Sequence, residues 1–466
     1  MAGERIDYRI ERQRHESFVG RDALLDRLDQ LLRGDAIDRR VLVTGAPGMG
    51  KSALLARWLQ RREEAGDRVP HHFIRRREYD LDDPARLVAS LVWQLEQIVP
   101  EQPEPEADAR LSPAARLGAA LARVSAGAHA PAGRRVVLLI DGLDEYDPPP
   151  GAPAGDPLAA FLPDVLPPGV SLLCASRPGH PSVAGVAGVA GVAGIDARRG
   201  ELVRIDLDAP EHAAGNDATV RAFWERAARP LGLGSVFVEE AVARARGNLQ
   251  HATMLRRYLA GMPSAQRKVK SIPGGLDALV DKLCARIAAE PLAALGLGIL
   301  CAAREALALD ELGAAAGWED EQRRAFVRGA VELLAESWRP DGRREFRLHH
   351  ASIREHLART LGAAALRGHH AALAARVASW PAPADPPARR YALRHALIHR
   401  IEAGDRAGAW QLAADASFLE AKRCELGARE AEADVARAAE RCRADGDEAH
   451  RVRFDDLARS LARAPR

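Results

Sequence analysis

Apolar residues recur along this chain in two rhythms. Leu24, Leu25, Leu28, Leu31 and Leu32 fall at helical spacing. So do Leu54, Leu55, Trp58 and Leu59 in 51–64, and Leu87, Leu91, Val92, Leu95 and Ile98 in 87–99. Between these stretches lie continuous apolar runs at 41–43, 136–140 and 170–175, and 202–207 and the short 72–74 look like further strands. Continuous runs suit strands covered on both faces. Strands alternating with helices predict an open parallel α/β sheet whose chemistry sits at the strand C-termini. From about residue 216 the pattern turns helical, with helices expected over 218–228, 238–245 and 251–260 and a linker over 263–273. Residues 274–362 read as several helices and one hairpin, because Asp341-Gly342 forms a turn between two short extended runs. Helices closed by a hairpin predict a winged helix. The remainder is rich in Ala and Arg and reads as helical hairpins without a detectable repeat period. Val-Ala-Gly is repeated four times over 183–194, too briefly and without the proline that a collagen helix needs, so a flexible loop is expected there.

Composition narrows the function classes. The chain has 466 residues, room for several domains, and its 47% hydrophobic and 28% charged content is ordinary for a globular protein. With 67 basic and 65 acidic residues it lacks the basic excess of a dedicated nucleic-acid binder. Cys174, Cys284, Cys301, Cys424 and Cys442 form no C-x-x-C pair, which favours buried free thiols in a reducing compartment. The charged N-terminus is no signal peptide, and no run is long enough to span a membrane, so a cytoplasmic location is expected. His71-His72 and His369-His370 lack flanking ligands at metal spacing and read as surface histidines.

The chemistry concentrates in one stretch, Gly45-Ala46-Pro47-Gly48-Met49-Gly50-Lys51-Ser52-Ala53, which follows the run at 41–43. It satisfies G-x-x-x-x-G-K-S in full. Gly45, Gly48 and Gly50 let the backbone curl so that N–H groups point at phosphate oxygens, and the helix starting near Lys51 adds its positive dipole end. Lys51 would reach the β- and γ-phosphates, and Ser52 would take a Mg²⁺ position. A second acidic stretch, Asp141-Gly142-Leu143-Asp144-Glu145, ends the apolar run at 136–140. Asp141 there can hold Mg²⁺ through water, and Asp144 or Glu145 can orient and deprotonate an attacking water.

These two motifs resemble the nucleotide-binding core of NACHT-type STAND ATPases, which are AAA-like signal-transduction NTPases. The resemblance extends over about 15–430. Phe18-Val19-Gly20-Arg21 is similar to the segment lining the adenine pocket, which implies nucleotide contacts for Val19, Gly20 and Arg21. Leu172 to Pro178 resembles the sensor strand, which implies that Arg177 faces the terminal phosphate. Gly247-Asn248-Leu249 falls where the family often has Gly-Asn-Pro. Residues 272–276 resemble the start of the winged helix, and 348–357 its closing H-A-S-F-R-x-x-L motif. That alignment implies a β-phosphate contact for His350 rather than His349. The implied layout is a lead-in at 1–17, a P-loop domain at 18–215, a small helical domain at 216–270, a winged helix at 271–362 and a C-terminal helical region at 363–466. The implied function is a slowly hydrolysing ATP switch with Mg²⁺, resting with ADP and assembling into a homo-oligomer with ATP. Effector or sensor parts are expected on a separate chain, or the helices of 363–466 do the sensing. Two rivals remain at this point. Arg339, Arg343, Arg344 and Arg347 would let a basic wing touch DNA, and the phosphate loop would also serve a small-molecule kinase.

Overall fold

The computed structural model describes residues 6, 8, 19–33, 39–76, 81–100, 104, 105, 107, 108, 111–126, 136–146, 156–184, 195, 201–288, 290–339, 342–349, 351–377 and 386–463. Most of the Val-Ala-Gly tract lies outside them, as do Phe18, Asp341 and His350. The chain divides into two compact units, the first closing at Leu279 and the second opening at Val280.

The first unit is built on five parallel strands: β1 (Arg39–Thr44), β2 (His71–Phe73), β3 (Val136–Asp141), β4 (Val170–Ser176) and β5 (Glu201–Asp206). Their order is β2-β3-β4-β1-β5. The pairs Thr44–Ser176, Ile140–Cys174 and Phe73–Asp141 fix the register. Because the strands are parallel, the ends of β1, β3 and β4 open on one edge of the sheet. That edge carries both motifs.

Each central strand is buried on both faces, and alternate residues join different cores. Leu42, Leu138, Ile140, Leu172 and Cys174 pack beneath α3 (Pro84–Glu96) and α4 (Pro113–Ala126). Val41, Val43, Leu139, Leu173 and Ala175 pack beneath α1 (Asp22–Arg33) and α2 (Lys51–Glu64). The period-2 alternation of a strand requires this split, and the helical stripes supply the covering faces. Trp58 is 2% exposed, and its indole N–H donates to Asp29 Oδ1 at 3.1 Å, which ties α2 to α1. Truncating a tryptophan so buried costs about 3–5 kcal/mol.

A single helical turn, α5 (Pro181–Ala184), lies between β4 and β5, and beyond β5 come α6 (Pro210–Ala227), α7 (Ser235–Ala245) and α8 (Leu249–Ala260). Helix α6 starts eight residues before the sequence pattern announces it. Pro210 opens its first turn, and its buried face includes the polar Asn216 and Thr219, so no apolar stripe marks that half. Helix α4 also escaped the pattern, since its buried face is only Leu117, Ala120 and Leu121. Helix α7 ends where Arg246 and Gly247 both adopt left-handed backbone.

The second unit follows α9 (Leu276–Ala288), whose last residues it contains. It runs α10 (Pro291–Ala302), β6 (Leu307–Ala308), α11 (Leu309–Ala316), α12 (Asp320–Ala330), β7 (Leu334–Trp338) and β8 (Arg344–Leu348). These strands form an antiparallel sheet of order β6-β8-β7. Helix α13 (Ala351–Val377) is interrupted at Gly362, and α14 (Pro386–Ala403) packs against it. Helices α15 (Arg406–Ala413), α16 (Ala416–Leu426), α17 (Ala428–Asp445) and α18 (Glu448–Arg463) complete the chain. Arg354 donates at 2.7 Å to the carbonyls of both Cys301 and Ala303, satisfying the last turn of α10.

Three expectations need correction, and the hairpin arginines also find partners. His71 and His72 are buried, not surface residues, because β2 is an edge strand covered by the Tyr8 ring and α3. The Tyr8 hydroxyl lies 2.7 Å from His72 Nδ1, and His72 Nε2 lies 2.8 Å from the Leu81 carbonyl. His369 and His370 are half-buried, and His370 Nδ1 sits 3.0 Å from His399 Nδ1. Cys424 is exposed, whereas the other four cysteines are buried, and all five are free thiols. The basic wing is largely neutralised: Arg339 pairs with Glu311 and Glu345, Arg343 with Asp310 and Arg344 with Glu336. Among the described residues no helix is long and apolar enough to cross a membrane.

Burial pushes His72 down to about 3, against an opposing bond to the Leu81 carbonyl, and pushes His251 down to about 4. Both rings stay neutral in the fold while the unfolded chain protonates them near 6.5. Stability is therefore full above that value and falls as pH drops from about 6.5 towards 4. The melting temperature should decline across this window, and His251→Leu should flatten part of the decline. A melting temperature independent of pH in the native protein would contradict this.

Candidate functional site

The loop after β1 is shaped by left-handed glycines: φ is +85° at Gly48 and +81° at Gly50. Gly50 also caps α2, and no side chain satisfies the N–H groups of that helix start. No acidic residue lies in its first turn. Some helices of the chain close their N-termini with a side chain, as Asp83 does for α3 and Asn248 for α8, whereas α2, like α6 and α7, does not. The N-terminus of α2 thus keeps orphan donors and a positive dipole end facing the loop.

Lys51 folds back over this loop. Its Nζ donates to the Gly45 carbonyl at 2.6 Å and to the Ala46 carbonyl at 3.3 Å. Among the described residues it has no carboxylate within ion-pair distance. Burial lowers its pKa, while the charges of Asp144, Asp141 and Asp208 pull it back up and Arg177 opposes them. Those four groups therefore act on one ammonium. The loop is fixed from outside as well. Ala46 N–H donates to Asp208 Oδ2 at 2.6 Å. The Asn248 side chain donates to the Pro47 carbonyl at 2.9 Å, and Gln250 N–H to the Gly48 carbonyl at 3.2 Å.

Arg21 closes the far side. It adopts left-handed backbone with φ +62°, and its guanidinium donates to Asn216 Oδ1 at 2.9 Å and towards the Gly50 carbonyl at 3.5 Å. Burial lowers its pKa to about 10. Asn216 in turn donates to the Leu207 carbonyl at 2.7 Å. Val19 is buried, and Gly20 is left-handed and packs on Thr219. Met49 and Ala53 are buried, while Ser52 is half-buried at the second position of α2.

The acidic stretch ends β3 and continues as a short turn, Leu143–Glu145, after a left-handed Gly142 with φ +77°. Asp141 is 1% exposed, and Arg75 Nη1 donates to its Oδ2 at 3.0 Å. Both oxygens of Asp144 accept from Arg177: Oδ1 from its backbone N–H at 3.1 Å and Oδ2 from Nε at 3.0 Å. Glu145 Oε2 accepts the Arg76 N–H at 3.2 Å. Strand β4 lies between β1 and β3, and its last residue, Ser176, has a buried hydroxyl without a hydrogen-bond partner among the described residues.

The structure brings Asp144 against Arg177 and sets both, with Asp141, within charge reach of Lys51, with Glu145 on the same turn. His350 lies outside the described residues. The sequence reading missed Arg75, Ser176, Asp208, Asn216 and Gln250. Each is assigned by tertiary pairing alone, so no local motif marks it. The residues present fit a Mg²⁺ nucleotide: uncapped donors and an ammonium for phosphate, with Ser52 and Asp141 for the metal. Bound there, such a group would supply a transferable phosphoryl. The chain would bind it through the loop N–H groups and Lys51 and orient it through Arg177.

Residues 17–165 match the family model of an AAA ATPase domain. This supports a P-loop NTPase of the AAA type. The match spans the phosphate loop and the acidic turn but ends before β4, so Arg177 and the Asn248 clasp lie beyond it. No curated protein matches the chain.

A Cβ at Gly48 would lie 2.5 Å from Asn248 Oδ1 and 2.7 Å from Gln250 Cβ, on backbone that disfavours any side chain. Gly48→Ala should destabilise the protein by about 1–3 kcal/mol, measured by denaturant unfolding. Native stability in that variant would show that the clasp over the loop is loose.

Proposed function

We propose that this protein is an ATP-dependent molecular switch of the STAND class, with NACHT-like architecture. One observation carries the reading: Lys51 is a half-buried cation resting on backbone carbonyls, at an uncapped helix start and within charge reach of Asp141 and Asp144. A phosphate gives that cation its missing counter-charge. Asp141 with Ser52 would hold Mg²⁺, Glu145 and Asp144 would orient water, and Arg177 would steady developing charge on the terminal phosphate.

The Asn248 and Gln250 contacts support coupling between the loop and α8, the kind of two-state element that a γ-phosphate biases. The order helix, strand, helix, helix, hairpin in the second unit supports a winged helix. Its paired arginines favour a structural wing over a DNA-binding one, which demotes the DNA-regulator reading. ADP would hold a resting monomer and ATP would favour a homo-oligomer in the cytoplasm.

Light scattering with ADP and with a non-hydrolysable ATP analogue tests the switch. The account expects a larger species only with the analogue, and a strict monomer in both, with any partner added, would contradict it. Phosphate release tests the chemistry. Glu145→Gln and Asp144→Asn should keep nucleotide binding and lose turnover by about 10²-fold or more.

A further inference from the structure

One residue that braces the acidic turn from within lies in neither motif. Arg75 follows β2 by two residues and is 7% exposed. Its Nη1 donates to the Ile74 carbonyl at 2.9 Å and to Asp141 Oδ2 at 3.0 Å, and lies 3.6 Å from Glu145 Oε1. Its guanidinium carbon stands 5.6 Å from the Phe73 ring centroid, a cation–π distance. The backbone holds this arrangement too. Phe73 pairs with Asp141 across the sheet, and Ile74 N–H donates to the Asp141 carbonyl at 2.9 Å.

Gly142 lets the two segments meet. A Cβ there would lie 2.7 Å from the Ile74 carbonyl and 3.2 Å from Arg75 Nη1. Arg76 then wraps the outside of the same turn, donating to the Asp144 carbonyl at 3.0 Å and the Glu145 carbonyl at 3.4 Å. The tail of β2 is therefore a clamp on residues 141–145, with Arg75 as its inner jaw.

We propose that Arg75 is a positioning residue for Mg²⁺ binding: it fixes the rotamer of Asp141, links that carboxylate to Glu145, and so sets how strongly Mg²⁺ tightens nucleotide binding. The inference rests on the Mg²⁺ nucleotide reading of the site. An arginine suits the task because its planar fork keeps its charge and spans two acceptors at once. Here the fork is itself held by a ring and a carbonyl, so the carboxylate it touches is held with it. Partners of this kind orient a metal ligand, and losing one typically costs about 10–100-fold in metal affinity.

The test is calorimetric titration of ADP into the full chain, in EDTA and in Mg²⁺, for native protein, Arg75→Gln and Arg75→Lys. Arg75→Gln should leave the affinity in EDTA unchanged and cut the Mg²⁺ enhancement by roughly 10–100-fold. Arg75→Lys, which keeps the charge but not the fork, should fall between. Should Arg75→Gln fail to fold, the double variant Arg75→Gln with Asp141→Asn removes the orphaned charge. Its Mg²⁺ enhancement should then equal that of Asp141→Asn alone, since the two residues act as one unit. A folded Arg75→Gln with native Mg²⁺ enhancement, or a double variant clearly below Asp141→Asn, would overturn the proposal. Native protein that binds ADP equally with and without Mg²⁺ would instead overturn the underlying metal reading.

Discussion

Lys51 is a half-buried charge folded back on its own loop, and the rest of the first unit depends on that constraint. An ammonium partly withdrawn from water needs acceptors. Here it finds the Gly45 and Ala46 carbonyls, which the left-handed glycines turn towards it. Carboxylates attract it from a distance without pairing. The parallel sheet makes this possible by bringing the ends of β1, β3 and β4 to one edge. The two cores beneath α1 and α2 and beneath α3 and α4 hold that edge rigid.

Around the lysine, arginines manage the acids. Arg75 holds Asp141, Arg177 holds Asp144, and Arg76 holds the turn and Glu145. These contacts hold the three acids in place close to the loop, yet leave the lysine to a phosphate. The same economy appears in the second unit, where Glu311 and Glu345 surround Arg339.

The parts legible in the sequence are those with a local cause. Continuous apolar runs predicted β1, β3 and β4, and the phosphate loop declared itself through glycine spacing. The acidic turn was found because it directly ends a buried strand. What escaped has a tertiary cause. Arg75 gains its role only because β2 pairs with β3, and Asn216 only because α6 crosses the end of β5. His72 reads as a surface residue until Tyr8 covers it. Helix α6 hid its start because its buried face is polar, and polarity in a helix has no period that distinguishes core from solvent.

The central claim is that Lys51 awaits a phosphate. Equilibrium binding of ADP and ATP to native protein and Lys51→Ala tests it most directly, with circular dichroism to confirm the fold. The account predicts saturable binding to the native protein and none detectable in the folded variant. Equal affinity in both would contradict it.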